Sequence, residues 1–218
     1  MSHQHQHGDQ AIRFSQEFWD DRYRSADHLW SGQPNQQFVA QVADLPPGEA
    51  LDAGCGEGAD AIWLAERGWT VSAVDLSPVA LERALAHALS KGSEVAGRIA
   101  WQHRDLRSWD PDSQRFDLVS AQFLHLPAPE LDSLIRGLAA AVRPGGILLL
   151  VSHHADDLHV NVGRPDEPQL FPTVDQLVAA LVPGEWDILV AAPIGRPATG
   201  LDGEPVTVTD SVLRAQRR

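Results

Sequence analysis

A single cysteine, Cys55, stands among the 218 residues, so no intrachain disulfide can form, which agrees with a reducing compartment. Basic residues are scarce as well. Against 30 Asp plus Glu there are 17 Lys plus Arg, and the formal charge of −13 leaves no electrostatic footprint for a phosphate backbone. Nucleic acid is therefore not expected as a partner. No run of about 18 apolar residues is present to span a bilayer, and the N-terminal stretch is polar and His-rich without the apolar core of a signal peptide. These absences predict a cytoplasmic protein without a membrane partner, either a monomer or a homodimer. No internal repeat is visible. A hydrophobic fraction of 43% beside 22% charged residues suits one globular core. Residues 1–10 are expected to form a disordered tail, in which His3, His5 and His7 alternate as solvated side chains. Residues 11–218 are expected to form one domain, opening with a helical cover over about 11–45.

What is present centres on Leu51 to Asp75, which reads as strand, glycine turn, helix, strand. Gly54, Gly56 and Gly58 allow a sharp turn and close approach of a ligand, and the helix after them aims free N–H groups at it. A nucleotide-type cofactor is the natural occupant. In dinucleotide enzymes the spacing is G-x-G-x-x-G and the loop faces a pyrophosphate, which disfavours nearby carboxylates. Here the third glycine comes one position early, Asp52 precedes the first, and Glu57 lies inside the loop. Negative charge suits a cofactor carrying an ammonium and a sulfonium, which points to S-adenosylmethionine. Asp75, at the end of the next apolar run, is placed to accept both ribose hydroxyls. Cys55 reads as a small structural side chain in a tight loop and not as a reactive thiol.

These residues resemble the class I S-adenosylmethionine-dependent methyltransferases, most nearly the small bacterial enzymes of the tellurite-resistance and thiol-methylating type. The likeness runs from about Phe18 to Arg217 and rests on Trp30-Ser-Gly-Gln-Pro-Asn, Leu-Asp-Ala-Gly-Cys-Gly-Glu-Gly, Val-Asp-Leu-Ser-Pro, Arg104-Asp105-Leu106, Phe116-Asp117-Leu118-Val119 and Arg143-Pro-Gly-Gly. It implies an α/β fold: a Rossmann-like, doubly wound, seven-stranded sheet, mostly parallel with a C-terminal antiparallel strand, and helices on both faces. It also implies that the cofactor, released as S-adenosylhomocysteine, is held by Trp30, Asp52, Gly54, Gly56, Gly58, Asp75, Leu76, Asp105, Leu106 and Gln122. In that family the acid at the place of Asp105 accepts the adenine amino group, and its neighbour, here Leu106, offers a backbone N–H.

Other segments fill the frame. Aromatic spacing predicts a helix over about 15–25, and a second is expected over 35–43. Ser77-Pro78 opens a helix running to Gly92, and further strands are expected at 98–102, 116–122 and 147–151. Residues 160–172, with Pro165, Pro168 and Pro172, are expected to be a mobile loop. After a helix near 173–181, segments 186–192 and 206–214 alternate as a strand pair. Gln122, Phe123 and His125 arrive at the sheet's C-terminal edge, where ligands of open α/β sheets sit. There His125 reads as facing substrate or capping the next turn. Ser152 to His159 is dense in ionisable groups. His153 and His154 are candidates for a substrate wall or general base, beside a plain solvated-loop reading. Adjacent on an extended segment, their side chains diverge, which disfavours a shared metal ion.

Methyl transfer from a sulfonium needs alignment and exclusion of water more than a nucleophilic triad. The expected acceptor is a small molecule, foremost a thiol or a selenium or tellurium species, with an oxygen or nitrogen of a small metabolite as the alternative. A cofactor-binding protein without catalysis, or an NAD-dependent oxidoreductase, are the readings from other classes.

Overall fold

The computed structural model describes residues 14–164 and 167–218; the expected tail over residues 1–10 lies outside them. The chain opens with α1 (Gln16–Arg24) and α2 (Gln36–Val42). Each is started by a side chain that accepts a free N–H of its first turn: Ser15 from Phe18 and Asn35 from Phe38. An orphan donor at a helix start is satisfied best this way. Then follow β1 (Glu49–Ala53), α3 (Ala59–Glu66), β2 (Thr70–Asp75), α4 (Pro78–Ser90), the short α5 (Ser93–Gly97) and β3 (Ile99–His103). The second half holds β4 (Phe116–Gln122), α6 (Ala128–Ala141), β5 (Val142–His153), α7 (Val174–Ala179), β6 (Trp186–Thr199) and β7 (Pro205–Arg217).

The strands form one seven-stranded sheet in the order β3-β2-β1-β4-β5-β7-β6. From β3 to β5 all pairings are parallel, and β7 runs antiparallel to both of its neighbours. This is the Rossmann-like arrangement that the resemblance implied. Burial on both faces explains the apolar run of β5. Leu148 and Leu150 join the core beneath α6 and α7, while Ile147, Leu149 and Val151 join that beneath α2 and α3. A strand with period two can be apolar throughout only when both faces are covered. Pro193 and Pro197 fall in β6, the edge strand, where a missing N–H donor is tolerated.

The order reverses between β1 and β4, so the crevice at this switch point lies outside the carboxyl ends of β1, β2, β4 and β5. Within residues 160–172, expected to be a mobile loop, Pro168–Leu170 form a 3-10 turn and Leu170 and Phe171 are buried, while Pro165 lies outside the described residues. Phe171 packs against His125 and His153. No helix among the described residues is long and apolar enough to cross a membrane.

Candidate functional site

Two groups of side chains meet at the sheet's C-terminal edge. The first surrounds the glycine loop between β1 and α3. Gly54 and Cys55 both donate to the Val74 carbonyl, at 2.8 and 3.0 Å, curling the loop over the end of β2. Gly54, Gly56 and Gly58 have φ of +78°, +52° and +80°, a region that side chains avoid. A Cβ on Gly56 would lie 2.9 Å from the Tyr23 hydroxyl and 3.6 Å from Nε1 of Trp30. Tyr23 and Trp30 therefore lie over the loop, joined by a 3.3 Å hydrogen bond from the Trp30 indole to the Tyr23 oxygen. Trp30 is 47% exposed, a position that suits the cover expected of it.

Three carboxyl groups converge here. Asp52 is buried at the end of β1, and its Oδ2 has no hydrogen-bond partner. Burial, followed by the nearby Asp60 and Asp75, pushes its pKa well above the ordinary value. Burial also raises Asp60 to about 6, although its Oδ1 accepts the Asn35 N–H at 2.7 Å. Asp75 is raised by burial, with N–H groups of Ser77 and Gly56 acting against the shift. Its two oxygens take those donors at 2.8 Å each, so this residue orders the loop. A buried carboxylate oxygen without a donor is unfavourable, and a cationic ligand would relieve it. The residues present thus fit S-adenosylmethionine.

Glu57 has a different role from the one expected. Its carboxylate pairs with Arg83 at 3.0 Å and accepts the backbone N–H groups of Leu29 and Trp30 at 3.2 and 3.1 Å. With its charge balanced by Arg83, it straps the N-terminal cover onto the loop and is not free to attract a cofactor. Asp105 likewise is engaged on its own loop, with Arg107 Nη2 and Nε at 2.6 and 2.9 Å, and Arg107 holds its pKa below the usual carboxylate range. Leu106 packs on the core beside α6, and Leu76 lies directly after Asp75. Gln122 ends β4 with a buried, unpartnered Nε2.

The second group lies beyond β4 and β5. Phe123 has a φ of +54°, an outlier for a bulky residue and a mark of local constraint. Its ring stacks on His153 with centroids 4.0 Å apart, and His125 stands 5.2 Å from His153 and edge-on to Phe171. Arg164 Nη1 lies 3.0 Å from His153 Nε2. Because a guanidinium only donates, that nitrogen must be the acceptor, which assigns the remaining ring proton to Nδ1. Nδ1 faces Asp210 Oδ1 at 3.8 Å, too long for a hydrogen bond. Asp210 also pairs with Arg196 at 2.6 Å. Burial pushes the pKa of His153 down, and burial followed by His153, Arg164 and Arg22 pushes His125 down to about 3. Both imidazoles are neutral at pH 7.

The expectation that His153 and His154 diverge agrees with their contacts. His154 caps the 3-10 turn after β5, its Nδ1 accepting the Asp156 N–H at 3.2 Å. Sequence reading missed Tyr23, Trp101 and Leu124 around the glycine loop, and Arg164, Phe171, Arg196 and Asp210 in the second group. No local signal could have found the last four: Arg196 and Asp210 meet only through the β6–β7 pairing. The clash that a Cβ on Gly54 would have with Leu124, 2.5 Å, is just as non-local.

Residues 50–146 match the family model described as a methyltransferase domain. The ubiquinone biosynthesis O-methyltransferase of Xanthomonas euvesicatoria is 32% identical over 114 residues, covering 52% of this chain and 46% of the relative. The chain thus spans about half the length of the curated relatives it matches. A solved structure from work on the conversion of a disulfide bond into a thioacetal group during echinomycin biosynthesis superposes with a TM-score of 0.72 at 26% identity, over 93% of this chain and 92% of the other. TehB from Haemophilus influenzae superposes with a TM-score of 0.66 at 16% identity, over 93% and 67%. Residues 50–146 thus match a methyltransferase domain, and the solved structures share the fold of the whole sheet.

Proposed function

We propose that this chain, which has the fold and cofactor loop of a class I S-adenosylmethionine-dependent methyltransferase, methylates a small acceptor through a soft or already ionised nucleophile, foremost a thiol. The cofactor, when bound, supplies an electrophilic methyl group on a sulfonium. Asp52 and Asp60 offer negative charge at the glycine loop, Asp75 offers acceptors for the ribose, and Tyr23 and Trp30 exclude water above the loop. Asp105, Leu106, Leu76 and Gln122 are the proposed remaining contacts.

The observation that carries the acceptor reading is the state of the histidines. Nε2 of His153 is engaged by Arg164. With a pKa of about 3, His125 cannot hold a proton at neutral pH, and a general base works best near the operating pH. His154 caps its own turn. His125 is far from a base poised near 7, and the other two rings each have a nitrogen engaged, so the acceptor read from this group is one that does not need deprotonation by these histidines. A thiol, which is partly thiolate at pH 7, meets that requirement; an alcohol or an alkylammonium does not. The sulfur chemistry named for the structural neighbour at 26% identity supports this reading. The O-methyltransferase relatives support a second, in which an acidic phenol is the acceptor.

A panel of thiols, selenite, tellurite and phenols, with release of S-adenosylhomocysteine as readout, tests the choice. Thiols of lower pKa are expected to be the better acceptors at pH 7. Turnover on phenols alone would overturn the sulfur assignment. His125→Ala is expected to lower kcat on a thiol by less than about tenfold, against the roughly 100- to 10,000-fold loss when a true base is removed; a loss in the latter range with cofactor binding intact would return His125 to that role.

The carboxyl cluster gives a pH prediction. A folded-state pKa raised above the unfolded value favours the protonated native form, so this contribution to stability is present at low pH and is lost as pH rises from about 4 through the folded value. The cationic cofactor needs the ionised form. With Asp60 near 6, cofactor affinity should fall on acidification below pH 6, by up to about tenfold per pH unit for each proton released on binding. The thermal stability of the free protein should change in the opposite sense through these groups. Calorimetric titration in buffers of differing ionisation enthalpy reads the proton release directly, and no release at pH 6 would mean that these acids do not face the cation.

A further inference from the structure

The chain is strongly acidic, yet three guanidinium groups bear on the second side-chain group. Arg22 and Arg164 lower the pKa of His125, and Arg196 acts on Arg164 and His153. Their pairing is unequal. Arg196 sends Nε to Asp210 at 2.6 Å and Nη2 to the same carboxylate at 3.5 Å. Arg164 is 17% exposed in its side chain; its Nη2 stands 3.6 Å from Asp157 Oδ2, and its buried Nε has no partner. Asp157 spends Oδ1 on the Thr209 N–H at 2.7 Å, and its Oδ2, in ion-pair range of Arg164, has no hydrogen bond among the described residues. A guanidinium carries five donors. Of these Arg164 places only one in a hydrogen bond among the described residues, that to His153.

Buried donors without acceptors are unfavourable, and more so on a charged group. The surroundings hold Arg164 in place all the same. His153 accepts from it and is stacked on Phe123, whose strained backbone is tied by a 2.7 Å hydrogen bond to the Val151 carbonyl. Beside it His125 presents a buried Nε2 without a hydrogen bond among the described residues, and the rings of Phe123 and Phe171 pack against His153 and His125. We propose that Arg164 is the anion-binding residue of the acceptor site, and that the acceptor is a small, flat monoanion whose negative group takes the donors this guanidinium leaves unused. His153 is a positioning residue that aims Arg164. This rests on the methyl-transfer reading above and narrows its acceptor class. The shared chemistry is one negative charge, whether it belongs to a carboxylate substituent or to the ionised nucleophile itself.

The test is calorimetric titration at pH 7 and low salt into protein first saturated with S-adenosylhomocysteine, with thiosalicylate, its primary amide, benzoate and thiophenol as probes. Thiosalicylate is expected to bind at least about tenfold more tightly than its amide, the range of one charge-assisted hydrogen bond. Arg164→Gln should reduce that preference to within about twofold, Arg164→Lys should restore part of it, and Arg98→Gln, which removes an exposed arginine paired with Glu94, should leave it intact. Arg164-dependent binding of benzoate would place the charge on a carboxylate. Thiophenol binding that strengthens as its thiol ionises, and does so only with Arg164 present, would place it on the nucleophile. Equal binding of acid and amide, both lost in Arg164→Gln, would likewise place the charge on the thiolate; binding of none of the probes, or binding unchanged in Arg164→Gln, would overturn the proposal. Failure of S-adenosylhomocysteine itself to bind, seen in the first step of the same experiment, would instead overturn the methyltransferase reading.

Discussion

Asp75→Ala is expected to weaken the binding of S-adenosylhomocysteine by about 100-fold or more, as measured by calorimetry. A hydrogen bond to a charged group contributes about 1.5–3 kcal/mol, and 1.4 kcal/mol is a factor of ten in affinity. Asp75 makes two such bonds within the protein, to Gly56 and Ser77, so removing it loosens the glycine loop in addition to deleting the proposed ribose acceptor. The variant should nevertheless fold. Burial raises the pKa of this carboxyl group, which shows that its ionised form is disfavoured in the native state, and losing it removes that penalty together with the two bonds. Asp75→Asn keeps the shape and one acceptor, so it should lie between wild type and alanine. Unchanged affinity in both variants would mean that the ribose lies elsewhere.

The second large effect is steric. At Gly58, φ is +80° and an added Cβ would lie 2.6 Å from the Trp101 ring and 2.9 Å from Ala84 Cβ. Gly184 has nearly the same backbone, φ +85°, with nothing within 4 Å of the added atom. Gly184→Ala should therefore lose only the backbone contribution, about 1–2 kcal/mol, whereas Gly58→Ala should lose a further ~1–3 kcal/mol from overpacking. For a domain of this size 1 kcal/mol corresponds to roughly 2–4 °C in Tm, so Gly58→Ala should melt several degrees below Gly184→Ala. Because Trp101 and Ala84 also border the cofactor loop, cofactor affinity should fall in Gly58→Ala alone. Equal melting temperatures would show that Trp101 swings away at little cost and that the loop is looser than its packing suggests.

Much of the frame was legible because it is local. Helix starts at Ser15, Asn35, Ser77 and Thr173 follow from side chains that cap their own first turns, and the span of β4 follows from a short apolar run. The glycine loop was legible for the same reason: three glycines, Asp52 and Asp75 lie within one strand–turn–helix–strand unit, where spacing along the chain sets position in space. Glu57 is the exception, because spacing does not say where a side chain spends its charge, and Arg83, a whole helix–strand unit further on, claims it.

Of the proposed acceptor end only Phe123, His125 and His153 were legible, and the reason is geometric. Phe123 and His125 follow β4, His153 ends β5, Arg164 and Phe171 come from the segment after it, and Arg196 and Asp210 come from β6 and β7. Only the sheet order β4-β5-β7-β6 brings them to one edge. Even with all of these residues in view, the sequence could not tell which histidine keeps a free nitrogen and which arginine keeps a buried donor without a hydrogen bond among the described residues. Those properties belong to contacts between distant segments and to the burial that the assembled fold imposes. The sequence by itself therefore determined the sheet, its switch point and the glycine loop. Tertiary structure alone decided that the neighbouring histidines are neutral and that Arg164 is left with donors to give.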